Sequence, residues 1–172
     1  NISCGKTVSL CPPNQFFSGQ SYCLGDKVDA LEKDASIVFS TSTGLYHKDQ
    51  FDNKYFDQII FYYHGLRKTV KAIVFKYDLA KAEGSIDVDS IAIVLIDILE
   101  TKFGDSYRIL ERPSREISDG VKTPELPILM WPIEGGGYIT LEYPPSEIYS
   151  KFEDNSKHRH LKWMDIYLEF SE

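Results

Sequence analysis

The sequence lacks a long apolar run and has too few basic residues to balance its acidic ones. Its longest apolar run, residues 91–96, ends at Asp97, whereas a membrane span needs about 18 such residues. The 19 basic and 26 acidic residues give a formal charge of −7. Nucleic-acid partners need a surface rich in lysine and arginine. We therefore predict no membrane span and no nucleic-acid partner; a basic protein partner fits this charge, as does ordinary solubility.

Cysteine is scarce, and all three residues, Cys4, Cys11 and Cys23, lie at the start of the chain. Their position beside prolines and a glycine predicts a disulfide that pins an N-terminal arm, residues 1–24, next to a single domain, residues 25–172. We expect a Cys11–Cys23 bond, with Cys4 bonded to either one as the alternative. The spacing matches no common zinc finger. The first residue is not methionine, which fits either a mature product whose leader has been removed or a trimmed chain. The predicted disulfide leads us to expect a periplasmic or extracellular protein.

The first half of the sequence predicts a short helix followed by strands. A helix opens near residue 24 with Asp26 as its cap, and a strand follows at residues 36–41. Residues 44–54 have the composition of a connection. Two segments rich in β-branched and aromatic residues, 56–63 and 69–77, flank His64-Gly65 and predict a β-hairpin. The second arm is apolar on both faces, which is typical of a central strand.

The second half repeats this order of a helix ahead of strands. The helix is capped by Asp87 or Asp89 and ends at Gly104, and a strand at residues 106–111 follows it. Residues 112–123 are polar and predict a loop. A second hairpin, residues 126–133 and 138–143, turns through a glycine-rich tip.

Two prolines, Pro127 and Pro132, lie in the first arm of this second hairpin. Proline cannot donate to a strand ladder, so we expect an edge or bulged strand there. Residues 161–170 alternate apolar and polar positions and predict a final strand. The fold class is therefore α+β, with a mainly antiparallel sheet built from hairpins and helices packed on one face.

No residue pattern typical of an enzyme occurs. His64 would need a placed nucleophile, and no Gly-x-Ser-x-Gly motif is present. The histidine pair His158 and His160 brackets Arg159 and has no nearby cysteine, which favours a solvated connection over a metal site. The glycine run at residues 135–137 precedes a strand, whereas a phosphate loop precedes a helix. We therefore predict no catalytic residue, metal or cofactor.

Aromatic and glycine-rich loops are the candidate contact sites. Tyrosine buries a large area at little entropic cost and is favoured at interfaces, although sheet packing explains each single aromatic residue as well. Glycine-rich tips can reach into a partner's cleft. The predicted partner-binding residues are Tyr46, His47, Phe51, Tyr55, His64, Arg67, Glu134, Gly135, Gly136 and Tyr138.

The strand at residues 70–75 and the later helix ending in Phe103-Gly104 together resemble small bacterial envelope proteins. The opening helix near residues 24–31 is similar to the first helix of such domains. This resemblance to β-lactamase-inhibitor-type domains and periplasmic immunity proteins covers about half of the chain. It implies a protein that inhibits or neutralises a cognate enzyme or toxin by occluding its active site, and it carries over no functional residue. An envelope module for a small ligand or cell-wall component, and a hydrolase with an unfamiliar site, remain alternatives.

Overall fold

The computed structural model of the chain describes residues 9–79, 87–105, 107–112, 114, 116–118, 121–122, 125–147 and 165–172. Among the elements bounded within these residues, a short 3-10 turn precedes two α-helices and ten strands in chain order. These are the turn Asn14–Phe16, α1 Val28–Glu32, β1 Ile37–Ser40, β2 Leu45–Asp49, β3 Gln58–Tyr63, β4 Val70–Tyr77, α2 Val88–Phe103, β5 Arg108–Arg112, β6 Glu116–Ser118, β7 Val121–Lys122, β8 Leu126–Pro132, β9 Tyr138–Glu142 and β10 Ile166–Ser171.

Eight of the strands form one sheet in the order β1-β2-β3-β4-β10-β9-β8-β5, and β6 pairs with β7 separately. Every neighbouring pair in the large sheet is antiparallel. The predicted α+β class with a mainly antiparallel sheet is confirmed.

The sheet consists of two similarly ordered halves that meet at its centre. The first half runs α1, β1, β2, β3, β4, and the second runs α2, β5, β8, β9, β10, with β6 and β7 inserted after β5. The last strand of each half, β4 and β10, pair with each other, so that Phe75 lies opposite Leu168 and Ile73 opposite Phe170. Within the described residues, each half is thus a helix followed by four paired strands.

One face of the sheet carries the core, and we call it the helix face. On the central strands it presents Phe61, Ile73, Phe75, Leu168 and Phe170, all fully buried. The Phe103 ring of α2 lies 6.0 Å from the ring of Phe170. Leu95 and Leu99 of the same helix belong to this core.

The N-terminal arm packs into the same core. The ring of Phe16 lies 5.7 Å from Phe75, and the ring of Tyr22 lies 5.4 Å from Phe61, both edge to face. The predicted Cys11–Cys23 disulfide is present, with the two Cα atoms 4.3 Å apart. The core therefore extends across the predicted boundary at residue 24.

The long helix and the first hairpin agree with the sequence expectations. The Asp87 side chain caps α2 by accepting a hydrogen bond from the Ser90 backbone N–H, and the helix ends at Gly104. The hairpin of β3 and β4 turns at His64, and β4 lies in the interior of the sheet. The final strand β10 begins at Ile166; residues 148–164, which include the His158 and His160 pair, lie outside the described residues.

Four expectations about local structure are wrong. Residues 45–49 form strand β2 within the predicted connection, and the predicted loop at 112–123 contains β6 and β7. Asp26 does not cap α1: the residue before the helix is Lys27, and the Asp26 carboxylate accepts a hydrogen bond from the Cys23 backbone N–H at 2.8 Å. Strand β8 is an interior strand with regular pairing on both sides. Its prolines fit because Pro127 lies beyond the last pair with β9 and Pro132 ends the strand.

Candidate functional site

The face of the sheet opposite the core carries the candidate site, and we call it the open face. Its central side chains come from alternate residues of four neighbouring strands, because successive residues of a strand point to opposite faces. These side chains line a shallow groove of about 100 Å³. The groove residues are Ile60 and Tyr62 of β3, Val74 of β4, Thr140 and Glu142 of β9, and Tyr167 and Glu169 of β10.

A second groove of about 450 Å³ continues this surface toward one end of the sheet. It shares Tyr62 and Glu169 with the first groove and adds His64, Lys71, Ala72, Ser171 and Glu172. The His64 Nε2 atom lies 2.6 Å from a carboxylate oxygen of Glu172. The two grooves form one strip across the junction of the two halves.

The chemistry of this strip combines an apolar floor with carboxylates and phenol rings. Val74 and Ala72 are buried at its base, while Glu142, Glu169 and Glu172 supply three carboxylates to its walls. Carboxylates are acceptors for lysine and arginine, and tyrosine rings offer both apolar area and a hydroxyl. The strip therefore fits an extended, basic segment of a partner.

Buried charges lie at the far end of the open face, at the start of β10. Asp165 is buried, and one of its carboxylate oxygens lies 3.3 Å from the Lys76 ammonium. Burial raises the pKa of Asp165 to about 6, since the ion pair with Lys76 only partly offsets the lost solvation. Burial, followed by the neighbouring Asp165 carboxylate, also raises the pKa of Tyr167 well above its usual range.

One of the predicted contact residues, Tyr46, lies in the core, and a second, Tyr55, packs against it. Tyr46 projects onto the helix face and is buried, and its hydroxyl donates to the Glu32 carboxylate at 2.7 Å. Tyr55 packs edge to face on Phe16 at 5.5 Å between ring centroids. Both side chains are engaged in the fold, so we leave them out of the proposed contact surface.

His47 and Phe51 lie away from the strip. His47 occupies β2, two strands from the sheet centre, with Nε2 3.2 Å from the Thr43 hydroxyl. Phe51 is 95% exposed in the connection from β2 to β3. It borders a groove of about 420 Å³ that also contains Asp57 and Asp78. This groove is at the opposite end of the sheet from the β3–β4 turn.

The remaining predicted contact residues gather at one end of the sheet. Tyr138 pairs with Ser171, which pairs with Ala72, so the β3–β4 and β8–β9 turns flank the end of β10. Three strand spacings separate the two turns, or roughly 14 Å. The residues brought to this end are His64, Arg67, Glu134, Gly135, Gly136 and Tyr138.

The glycine-rich tip approaches β10 closely. Gly137 has φ +88°, and a Cβ placed on it would lie 2.7 Å from the Ser171 carbonyl oxygen. A side chain at this position would therefore collide with backbone. Position 137 therefore requires glycine for two reasons: the positive φ of the turn and the close approach of the Ser171 backbone.

His64 is the residue of the strip that was predicted from the sequence, and those missed include Tyr62, Glu142, Tyr167 and Glu169. A signal was present, because each alternates with core residues, as in Leu168-Glu169-Phe170. Period-two alternation places such residues together on the face opposite the core. It does not distinguish a solvated face from a binding face, and the register that assembles the four side chains is set by pairing across strands.

No family model, no curated protein and no solved structure matches this chain. Within the described residues, no group of three or more histidine, cysteine, aspartate or glutamate side chains is placed to hold a metal ion. Among those same residues, no helix is long and apolar enough to cross a membrane.

Proposed function

We propose that this protein is a secreted binding protein that inhibits or neutralises a cognate basic enzyme or toxin by covering its active site. The observation that carries the proposal is the strip on the open face, where three glutamates and two tyrosines surround an apolar floor. The β3–β4 and β8–β9 turns project at one end of this strip. They are suited to enter a cleft while the strip contacts the surrounding surface.

The charge of the molecule supports a basic partner. A formal charge of −7 favours rapid encounter with a positive surface, and Glu142 and Glu169 contribute negative charge on the strip itself. The tyrosine rings of Tyr62 and Tyr167 supply rigid apolar area, the kind of anchor that dominates interface energies.

The Cys11–Cys23 disulfide supports a periplasmic or extracellular location. Disulfides persist in oxidising compartments and are rare in the cytosol. The bond also holds the arm whose Phe16 and Tyr22 complete the core.

A small-ligand module is the second candidate, and groove size favours it. The grooves beside Glu172 and beside Phe51 measure about 450 and 420 Å³, within the range of ligand sites, about 300–1,000 Å³. A hydrolase would need a second carboxylate beside Asp165. Burial is the largest cause of the raised pKa of Asp165, and the carboxylates of Asp78 and Asp57 raise it further.

The test is affinity capture from the secreted proteins of the native host with wild type, Glu169→Arg and Glu111→Arg. Glu111 is exposed on strand β5 and serves as the matched control. We expect one partner captured by wild type and by Glu111→Arg, with Glu169→Arg weakening its binding by at least about tenfold, since a like charge then faces the basic partner. The wild-type protein should also inhibit the captured enzyme stoichiometrically.

Two results would contradict the proposal. One is the recovery of no specific protein by wild type. The other is an equal loss with both arginine variants, which would place the contact off the strip. Turnover of a substrate by the purified protein, abolished in Asp165→Asn, would favour the hydrolase instead.

A further inference from the structure

The two edges of the large sheet differ in how they are protected. Strand β1 forms one edge and β5 the other, so within the described residues each has a strand neighbour on one side only. An exposed edge strand offers unpaired backbone groups that can bind a further strand. Proteins commonly block such pairing with charged side chains along the edge.

Strand β5 carries this protection and β1 does not. Three of the five residues of β5 are charged: Arg108, Glu111 and Arg112. Strand β1 consists of Ile37-Val38-Phe39-Ser40, and residues 35–44 contain no charged residue at all. The chain as a whole is 26% charged. A strand added at the β1 edge would therefore meet no charged side chain of β1.

The β1 edge is apolar toward both faces of the sheet. Val38 pairs with His47, projects onto the open face and is 65% exposed. Phe39 projects onto the helix face beside the Tyr46 ring, at 5.0 Å, and is 44% exposed. A strand that covers this edge must also be uncharged and apolar toward both faces. Strand β1 of another copy has this pattern.

We propose that a second copy of this chain docks at the β1 edge, with the two β1 strands paired antiparallel about a two-fold axis. A two-fold axis perpendicular to the sheet keeps the open faces of both copies on one side. Residues directly opposite must share a face, which allows Val38 to lie opposite Val38 and Ile37 opposite Phe39 of the second copy. The same pairing centred on β5 would set Arg108 opposite Arg112, a like-charge contact.

The dimer should be weak and salt-dependent. A strand of four residues buries little area, well below the roughly 1,200–2,000 Å² of a stable interface. Each copy also carries a formal charge of −7, and their repulsion is screened within about 10 Å at about 0.1 M salt. Raising the salt concentration should therefore favour the dimer.

Sedimentation velocity over a range of protein concentrations tests the proposal, with Val38→Lys and Ile109→Lys as matched variants. Both positions are exposed β-branched residues on edge strands, at 65% and 68%, so lysine should leave the fold intact. We expect wild type and Ile109→Lys to dimerise alike, and Val38→Lys to raise the dissociation constant by at least about tenfold because two lysines meet across the axis.

Mixing tests the register. Val38→Glu alone should also be monomeric, whereas an equimolar mixture of Val38→Lys and Val38→Glu should associate again, since position 38 faces position 38. Hydrogen exchange should slow as wild type dimerises at those amides of residues 38–40 that point away from β2, whereas the Ile37 N–H already donates to the Asp34 carbonyl at 3.0 Å. A wild type that stays monomeric at all soluble concentrations, an equal loss in Ile109→Lys, or no association in the mixture would overturn the proposal. The β1 edge is separate from the strip, so these outcomes are independent of partner capture.

Discussion

The two faces of the sheet show how a single strand can serve two purposes. On β4, Phe75 points to the helix face and contacts the rings of Phe16, Phe17, Phe56 and Phe170. Its neighbour Val74 points to the open face and forms the floor of the groove. Both side chains are buried, but their surroundings differ. Core side chains cover Phe75, whereas the neighbouring side chains that line the groove cover Val74.

The largest expected effect comes from truncating the helix-face residue. Phe75→Ala should lower the free energy of unfolding by about 3–5 kcal/mol, because it leaves a cavity among packed rings. Val74→Ala should cost about 1–2 kcal/mol, the transfer energy of about two methylene-sized groups. Urea denaturation with equal m-values measures both. Equal losses for the two variants would remove the energetic distinction between the faces.

The next effect concerns the arm that helps to cover the helix face. Replacing Cys11 and Cys23 by serine should lower the free energy of unfolding by about 2–3 kcal/mol, as expected for a short closed loop. The measurement is thermal unfolding of this double variant beside wild type with and without reductant. The arm also holds through Gln50, whose side-chain amide donates to the Phe16 carbonyl. A double variant as stable as wild type would mean that such contacts suffice without the disulfide.

The smallest expected effect is the change in the free energy of unfolding with pH that comes from Asp165, on the open face. Because folding raises the pKa of Asp165 to about 6, its folded state favours the protonated carboxyl. The resulting stability is present at low pH and lost as pH rises through 6. Lowering pH from 7 to 5 should add about 1–2 kcal/mol to the free energy of unfolding.

Asp165→Asn should flatten this dependence, as measured by urea denaturation at each pH. Asp34 does not interfere in this window: although burial opposes it, hydrogen bonds from Ser36 and Tyr22 lower its pKa to about 2. Its contribution is lost only at more acid pH. An unchanged slope in Asp165→Asn would assign the effect to another group.

The sequence predicted the elements whose pattern is self-contained. Apolar spacing predicts the β3–β4 hairpin, α2 and β10, and a residue such as Gly104 marks where an element ends. Strand β2 was missed because three of its five residues, His47, Lys48 and Asp49, are polar. The Lys48 side chain is buried, and its charge is compensated by the Asp34 carboxylate, 3.6 Å from its ammonium. That pairing depends on the tertiary fold, so no local pattern could predict it.

The site was predictable only in its turns. Aromatic spacing indicated Tyr46 and Tyr55 as contact residues, whereas tertiary packing buries Tyr46 in the core and packs the half-buried Tyr55 against it. The strip depends on the pairing of β10 with β4 and β9, which brings Tyr62, Glu142 and Glu169 together from distant parts of the sequence. Single-chain patterns show which side of a strand is polar, but not which strands become neighbours.

The position of β10 also constrains the order in which the molecule can be completed. Its residues fill the gap between β4 and β9, so synthesis must pass β10 before the middle of the sheet can close. Contacts between residues so far apart in sequence make folding slow. The central ladder of the sheet therefore cannot form while β10 is still being synthesised.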